Sequence, residues 1–257
     1  SVTGFRRVLF RSFDEVISSI TALHDWKPTT PEDLEKYRLP TEKELYLNWA
    51  PKVHERWDKR KSDCYCNFKG SDILLPRIIW WLEQYEKHNM GVAAHVVHGD
   101  AVFTNCIVAA GKPRVKWVDM RGQLGSDMVL CGDANYDWAK VLQSVLGYDY
   151  VLLGKPNMAR SDYPDLLPRF EEFYVNRFGK TAWAWLLILT ASYMFSLLPL
   201  HLDQPVESQT FYRIGATWLQ HAEELLESEG ITYAGDDTRQ PRRFIYEEIF
   251  GEEIQKE

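Results

Sequence analysis

The chain has 257 residues, a formal net charge of −7, 45% hydrophobic and 26% charged residues. This is the composition of an ordinary folded domain with a sizeable core, and it excludes a disordered or low-complexity chain. The acidic balance also argues against general nucleic-acid binding, which requires a basic face.

Residues up to about Ser12 read poorly as the start of a protein. There is no initiating Met, and Leu9-Phe10-Arg11-Ser12 is what one frame of a common sequencing adapter encodes. We expect residues 1–12 to be a read-through artefact and the domain to run from 13 to 257.

From Phe13 the apolar spacing is helical, with Phe13, Val16, Ile17, Ile20 and Leu23 on one stripe. Pro31-Glu32-Asp33 marks another helix start. Thr41 with Glu44 three residues later forms a capping box, and the helix it opens is expected to run through Leu45, Leu47 and Trp49 to Arg56 and Trp57. The basic run Lys52 to Lys61 reads as a solvated helix face. Ser71 to Tyr85 is a further amphipathic helix, with Trp80 and Trp81 against packed surfaces.

Between Val92 and Val118 the period changes. Ala94 to Val97 is a short apolar run leading to His98-Gly99-Asp100. Asn105 to Ala109 reads as a strand, Gly111-Lys112-Pro113 as a turn, and Val115 to Val118 as the hairpin partner. Helices are expected over Tyr136 to Leu146, 162–178, 181–198 and 205–228, with a last one from Phe244 to Ile254. Trp183 to Leu200 holds eighteen residues without a charge, near the lower limit for a membrane span. Its four hydroxyl residues, Pro199 and acidic flanks make it a buried core helix.

Four cysteines without a secretory signal indicate a reducing compartment and a cytoplasmic protein. Cys64-x-Cys66 has no second pair at zinc-site spacing, so free thiols are the reading.

The chemistry is concentrated in Asp100, Asn105 and Asp119, ordered within twenty-two positions of His98. One carboxylate suits acceptance of a proton from an attacking hydroxyl. A neutral amide oxygen and a second carboxylate suit Mg²⁺ on nucleotide phosphates. Each alone reads as a turn or loop residue; the ordered trio on a strand-loop-strand unit points to phosphoryl transfer.

His98-Gly99-Asp100 with Asn105, then Val118-Asp119, resembles the aminoglycoside phosphotransferase and choline kinase group of protein-kinase-like enzymes. Gly132-Asp133 followed by Tyr136-Asp137-Trp138-Ala139-Lys140 resembles that group's next element. Ser144 to Tyr150 and Leu198 to His201 resemble its branch associated with bacterial surface polysaccharides. The resemblance implies an α+β, kinase-like C-terminal lobe, mostly helical, with a small β-hairpin carrying the catalytic loop. Asp100 is then the catalytic base, and Asn105 and Asp119 hold Mg²⁺ and so bind the ATP. His98, Gly99 and Asp137 support the loop.

The implied substrates are ATP and a small hydroxyl-bearing metabolite, with neither nucleic acid nor a membrane span involved. Met120-Arg121-Gly122 departs from the Phe-Gly pair of protein kinases. The nucleotide-binding N-terminal lobe is expected to be largely or wholly missing, because the mainly helical stretch before Asp100 does not read as a five-stranded lobe with a phosphate-pairing lysine. His201 and Asp203 are candidates for the acceptor pocket; a helix-ending histidine explains His201 equally well. A non-catalytic binding module or inactive fragment is the alternative, and a metal-dependent hydrolase built from His98, Asp100 and Asp119 a more distant one.

Overall fold

The computed structural model describes residues 12–109, 115–122, 127–155 and 165–234, together with Tyr246 and Ile249. The helices, in chain order, are α1 (Phe13–Asp25), α2 (Pro31–Lys36), α3 (Glu42–Tyr46), α4 (Ala50–Arg60), α5 (Ser71–Lys87), α6 (Ala134–Val145), α7 (Tyr148–Leu152), α8 (Leu166–Phe178), α9 (Lys180–Leu197) and α10 (Pro205–Ser228). The strands are β1 (Ala93–Ala94), β2 (Cys106–Val108), β3 (Val115–Trp117) and β4 (Gly132–Asp133). The described chain is therefore mostly helical with a little sheet, as the α+β expectation has it. It divides into two compact units, one drawn from Ser1–Asn48 and Gly91–Arg177, the other from Trp49–Met90 and Phe178–Glu257.

In the first unit α1 buries Phe13, Val16, Ile17 and Ile20, the stripe its spacing sets out. Phe13 meets Phe103 and Phe170 edge-on, each with centroids 6.3 Å apart. Thr30 caps α2 and Pro31 opens it, while α3 carries the full Thr41–Glu44 capping box. Glu44 also receives a two-pronged bond from Arg38, which together with the cap holds its carboxyl down at about 2.

The single helix expected from Thr41 to Trp57 is two helices. Pro51 lacks an N–H and its ring crowds the carbonyl four residues back, so Trp49 leaves the helical region (φ −103°, ψ −110°) and a new helix starts at Ala50.

Two antiparallel ribbons frame the site. Strands β2 and β3 pair Cys106 with Trp117 and Val108 with Val115, as the hairpin reading requires; its Gly111-Lys112-Pro113 turn lies outside the described residues. Asn105 closes a 3₁₀ turn, Phe103–Asn105, rather than starting the strand. The second ribbon, β1 with β4, joins Ala93 to Asp133 and Ala94 to Gly132 and was not anticipated. Asp133 also starts α6 two residues early, since its side chain accepts from the Asn135 and Val92 amides at 3.0 and 2.9 Å.

The second unit is built on α9, buried on all sides from Trp183 to Leu197. Three of its hydroxyls return to its own carbonyls (Thr190 to Leu186, Ser192 to Leu189, Ser196 to Tyr193), so these need no water. The helix is long and apolar enough to cross a membrane, yet 89% of that stretch is covered by protein. Helix α10 crosses it closely: a Cβ on Gly215 would stand 3.0 Å from the Met194 Cβ.

Beneath lies a buried polar knot. Arg77 and Trp81 of α5 both donate to the Glu223 carboxylate, and the Tyr246 hydroxyl reaches its other oxygen at 3.3 Å. Trp81 is buried and Trp80 partly so. Of the expected last helix from Phe244 to Ile254, only Tyr246 and Ile249 are described, both helical and buried.

Candidate active site

The loop after β1 is held by one helix. Asp137 of α6 accepts the His98 and Gly99 amides, at 2.7 Å each, on its two oxygens. Three residues further on, hence on the same helical face, the Lys140 ammonium lies 3.3 Å from Asp100 Oδ1. Four residues beyond that, Ser144 Oγ accepts the Phe103 amide at 3.0 Å. Asp149 of α7 then accepts the Thr104 amide at 3.3 Å. Residues 98 to 104 are thus laid along positions 137, 140, 144 and 149 in order.

Gly99 makes the turn with φ +76°, and any Cβ there would stand 2.9 Å from the Arg121 carbonyl oxygen. Glycine is required twice over, by the dihedral and by the close approach.

His98 ties this loop to the second motif. The Asp100 amide donates to His98 Nδ1 at 3.2 Å. The ring proton therefore sits on Nε2, which donates to the Val118 carbonyl at 3.0 Å. The Arg121 amide answers by donating to the His98 carbonyl at 2.8 Å, and Val118 N–H bonds Asn105 O at 2.9 Å. These bonds bring Asn105 beside the strand end that carries Asp119.

Asn105 Nδ2 donates to the Asp100 carbonyl and to Asp100 Oδ2, at 3.0 and 3.2 Å, which leaves Oδ1 as the acceptor end of the amide. Asp119 is exposed and left-handed at φ +57°, one of two such non-glycine residues among those described. Aspartate tolerates that region better than most, and such strain gathers at functional loops.

The Asp100 carboxylate therefore has Lys140 on one oxygen, with Asn105 and, at 3.6 Å, Arg121 on the other. Lys140 is 9% exposed and Arg121 57%. Burial raises the Tyr148 hydroxyl to about 12, with the Asp149 and Asp100 charges adding and Arg121 opposing. Burial likewise raises the Asp149 carboxyl, against its hydrogen bonds from Ser144 and Thr104.

Among the described residues no group of three or more His, Cys, Asp or Glu is able to hold a metal alone. Asn105 and Asp119 offer one amide oxygen and one carboxylate. That set suits Mg²⁺, which draws its remaining ligands from phosphates and water.

Sequence reasoning singled out Asp100, Asn105, Asp119, His98, Gly99 and Asp137, and these lie together in the first unit. His201 and Asp203 belong to the second unit, in the turn before α10. There His201 pairs with Gln204 at 3.0 Å and its carbonyl accepts from Ser208. The basic run on α4 is largely spent locally, as Lys59–Glu55, Arg60–Asp63 and Arg56 on the Ser196 carbonyl. Cys64 is buried and Cys66 exposed, and both are free thiols.

Three contributors were missed. Lys140 carried a signal, since it stands one helical step from Asp137. Asp149 lies in the Ser144 to Tyr150 segment that carries the family resemblance, whereas His24 carried none. His24 Nε2 reaches Asp137 Oδ2 at 2.9 Å across 113 positions of sequence.

Comparison with protein-family models, with curated proteins and with solved structures finds no match for this chain.

Proposed function

We propose that this chain is the C-terminal lobe of a kinase-like phosphotransferase, moving the γ-phosphate of ATP to a hydroxyl of a small metabolite. A sugar, an amino alcohol or a surface-polysaccharide precursor suits the reading. The observation that carries it is the tying of Asp100 to both Asn105 and the Asp119 strand, through the Asn105 amide and the His98 ring.

In this reading Asp100 orients the acceptor hydroxyl and takes its proton as the new O–P bond forms. The bond from the γ-phosphorus to the bridging oxygen breaks, and ADP leaves with that electron pair. Asn105 and Asp119 would hold Mg²⁺, which supplies neutralisation of phosphate charge when bound. The His98 and Asp137 bonds keep the loop from relaxing, and positioning of this kind is the main source of rate in such a reaction. A net charge of −7 fits a reading without nucleic-acid partners.

The test is Asp100→Ala assayed for ADP release from Mg-ATP against a panel of hydroxyl compounds. Loss of a general base should lower turnover by about 10²–10⁴-fold, with the circular-dichroism melt little changed. Retained turnover sinks the proposal.

A non-catalytic binding module is the second reading. What favours it is that, among the described residues before Asp100, only Ala93–Ala94 is strand, and no sheet bears a phosphate-pairing lysine. Calorimetry on the intact gene product separates the two, since no heat at millimolar Mg-ATP favours the binding module.

A further inference from the structure

We propose that Lys140 is a positioning residue for Asp100, a helix-borne cation that fixes the carboxylate in its working orientation. This rests on the phosphotransferase reading of the site. Two cations flank Asp100, and burial decides between them. Arg121 is mostly exposed and 3.6 Å from Oδ2, where water screens the attraction and the side chain is costly to immobilise. Lys140 is almost wholly buried and 3.3 Å from Oδ1, where the attraction is screened far less.

The backbone strengthens the case. Asp137 and Lys140 are one helical step apart and grip consecutive parts of one loop, the amides of residues 98 and 99 and then the carboxylate of 100. The carboxylate is thus referenced to the same rigid helix as its own backbone. Asn105 restrains the other oxygen, so rotation about the Asp100 side chain is blocked from both ends. Lone pairs remain on each oxygen for an acceptor hydroxyl.

The experiment uses the whole chain with Mg-ATP and follows ADP release for Lys140→Met, Lys140→Arg and Lys140→Ala. The alanine variant is also assayed with added ethylammonium or, as a neutral match, ethanol. Loss of alignment on the scale of about 1 Å costs roughly 10²-fold. Lys140→Met should lose that much kcat while KM for ATP stays nearly constant. Arginine should recover part, and ethylammonium but not ethanol should partly restore the alanine variant. Arg121→Gln should lose less than Lys140→Met.

Unchanged kcat in Lys140→Met overturns the proposal, as does rescue by ethanol equal to rescue by ethylammonium. If neither the unaltered chain nor the intact gene product turns over an acceptor, the phosphotransferase reading is what fails. The pairing is then read from melts of Lys140→Met, Asp100→Asn and the double variant. A double variant melting no lower than the worse single supports the coupling, and additive shifts overturn it.

Discussion

At the scale of single residues, the site is governed by which polar atoms are satisfied. Asp100, Asn105 and His98 share bonds that leave specific atoms turned outward, and Gly99 is confined by its left-handed dihedral and by Arg121. Asp149 is the unusual member, a 5% exposed carboxyl raised by burial. The folded chain binds its proton more tightly than the unfolded chain, whose aspartates titrate near about 3.9. Stability contributed by Asp149 is therefore present at acid pH and lost as pH rises from that value through the raised one. Asp149→Asn keeps an oxygen for the Thr104 amide and removes the ionisation. Its melting temperature should gain on that of the unaltered chain as pH increases from 4 to 8. Parallel curves would refute this.

At the scale of elements, α6 and α7 serve the loop while α5, α9 and α10 serve the core of the second unit. The buried Arg77–Glu223 pair links α5 to α10, with Trp81 and Tyr246 completing the carboxylate's shell. Removing one partner leaves a buried charge without its counter-charge. Arg77→Met should destabilise by about 3–5 kcal/mol in urea melts, whereas replacing Arg77 and Glu223 together by apolar residues should cost less. Equal losses in the two variants would argue that the pair's electrostatics are unimportant. The break between α3 and α4 belongs to this scale too. The apolar pattern continues through it, but the backbone leaves the helical region at Trp49, and Pro51 in the first turn of α4 lacks the N–H that a continuous helix would use.

At the scale of the whole molecule, an acidic chain with a sequence pI of about 5.6 carries, among the described residues, one helix apolar enough to be mistaken for a span. Its apolar surface is mostly covered by protein and its Thr190, Ser192 and Ser196 hydroxyls are satisfied within the helix, so little is left to face lipid. The chain should partition to the aqueous phase when Triton X-114 solution is warmed through its cloud point. Recovery in the detergent phase would reverse that expectation. Each compact unit is assembled from two separate stretches of chain. No Gly/Ser-rich linker marks the crossing points, so composition does not announce them.

The sequence alone determined the local patterns, because these are written in neighbouring residues. The stripe of α1, the Thr41–Glu44 cap, the ends of α10, the β2–β3 hairpin and the order Asp100, Asn105, Asp119 all depend on spacings within one element or turn. Tertiary structure decided what comes from distant segments. It set Asp149 under the 3₁₀ turn, turned His24 onto Asp137, paired β1 with β4 and brought Lys140 to Asp100. Hydrogen bonds and ion pairs between distant segments leave no periodicity in the chain. They are selected only when packing removes water and leaves each buried polar group to find a partner.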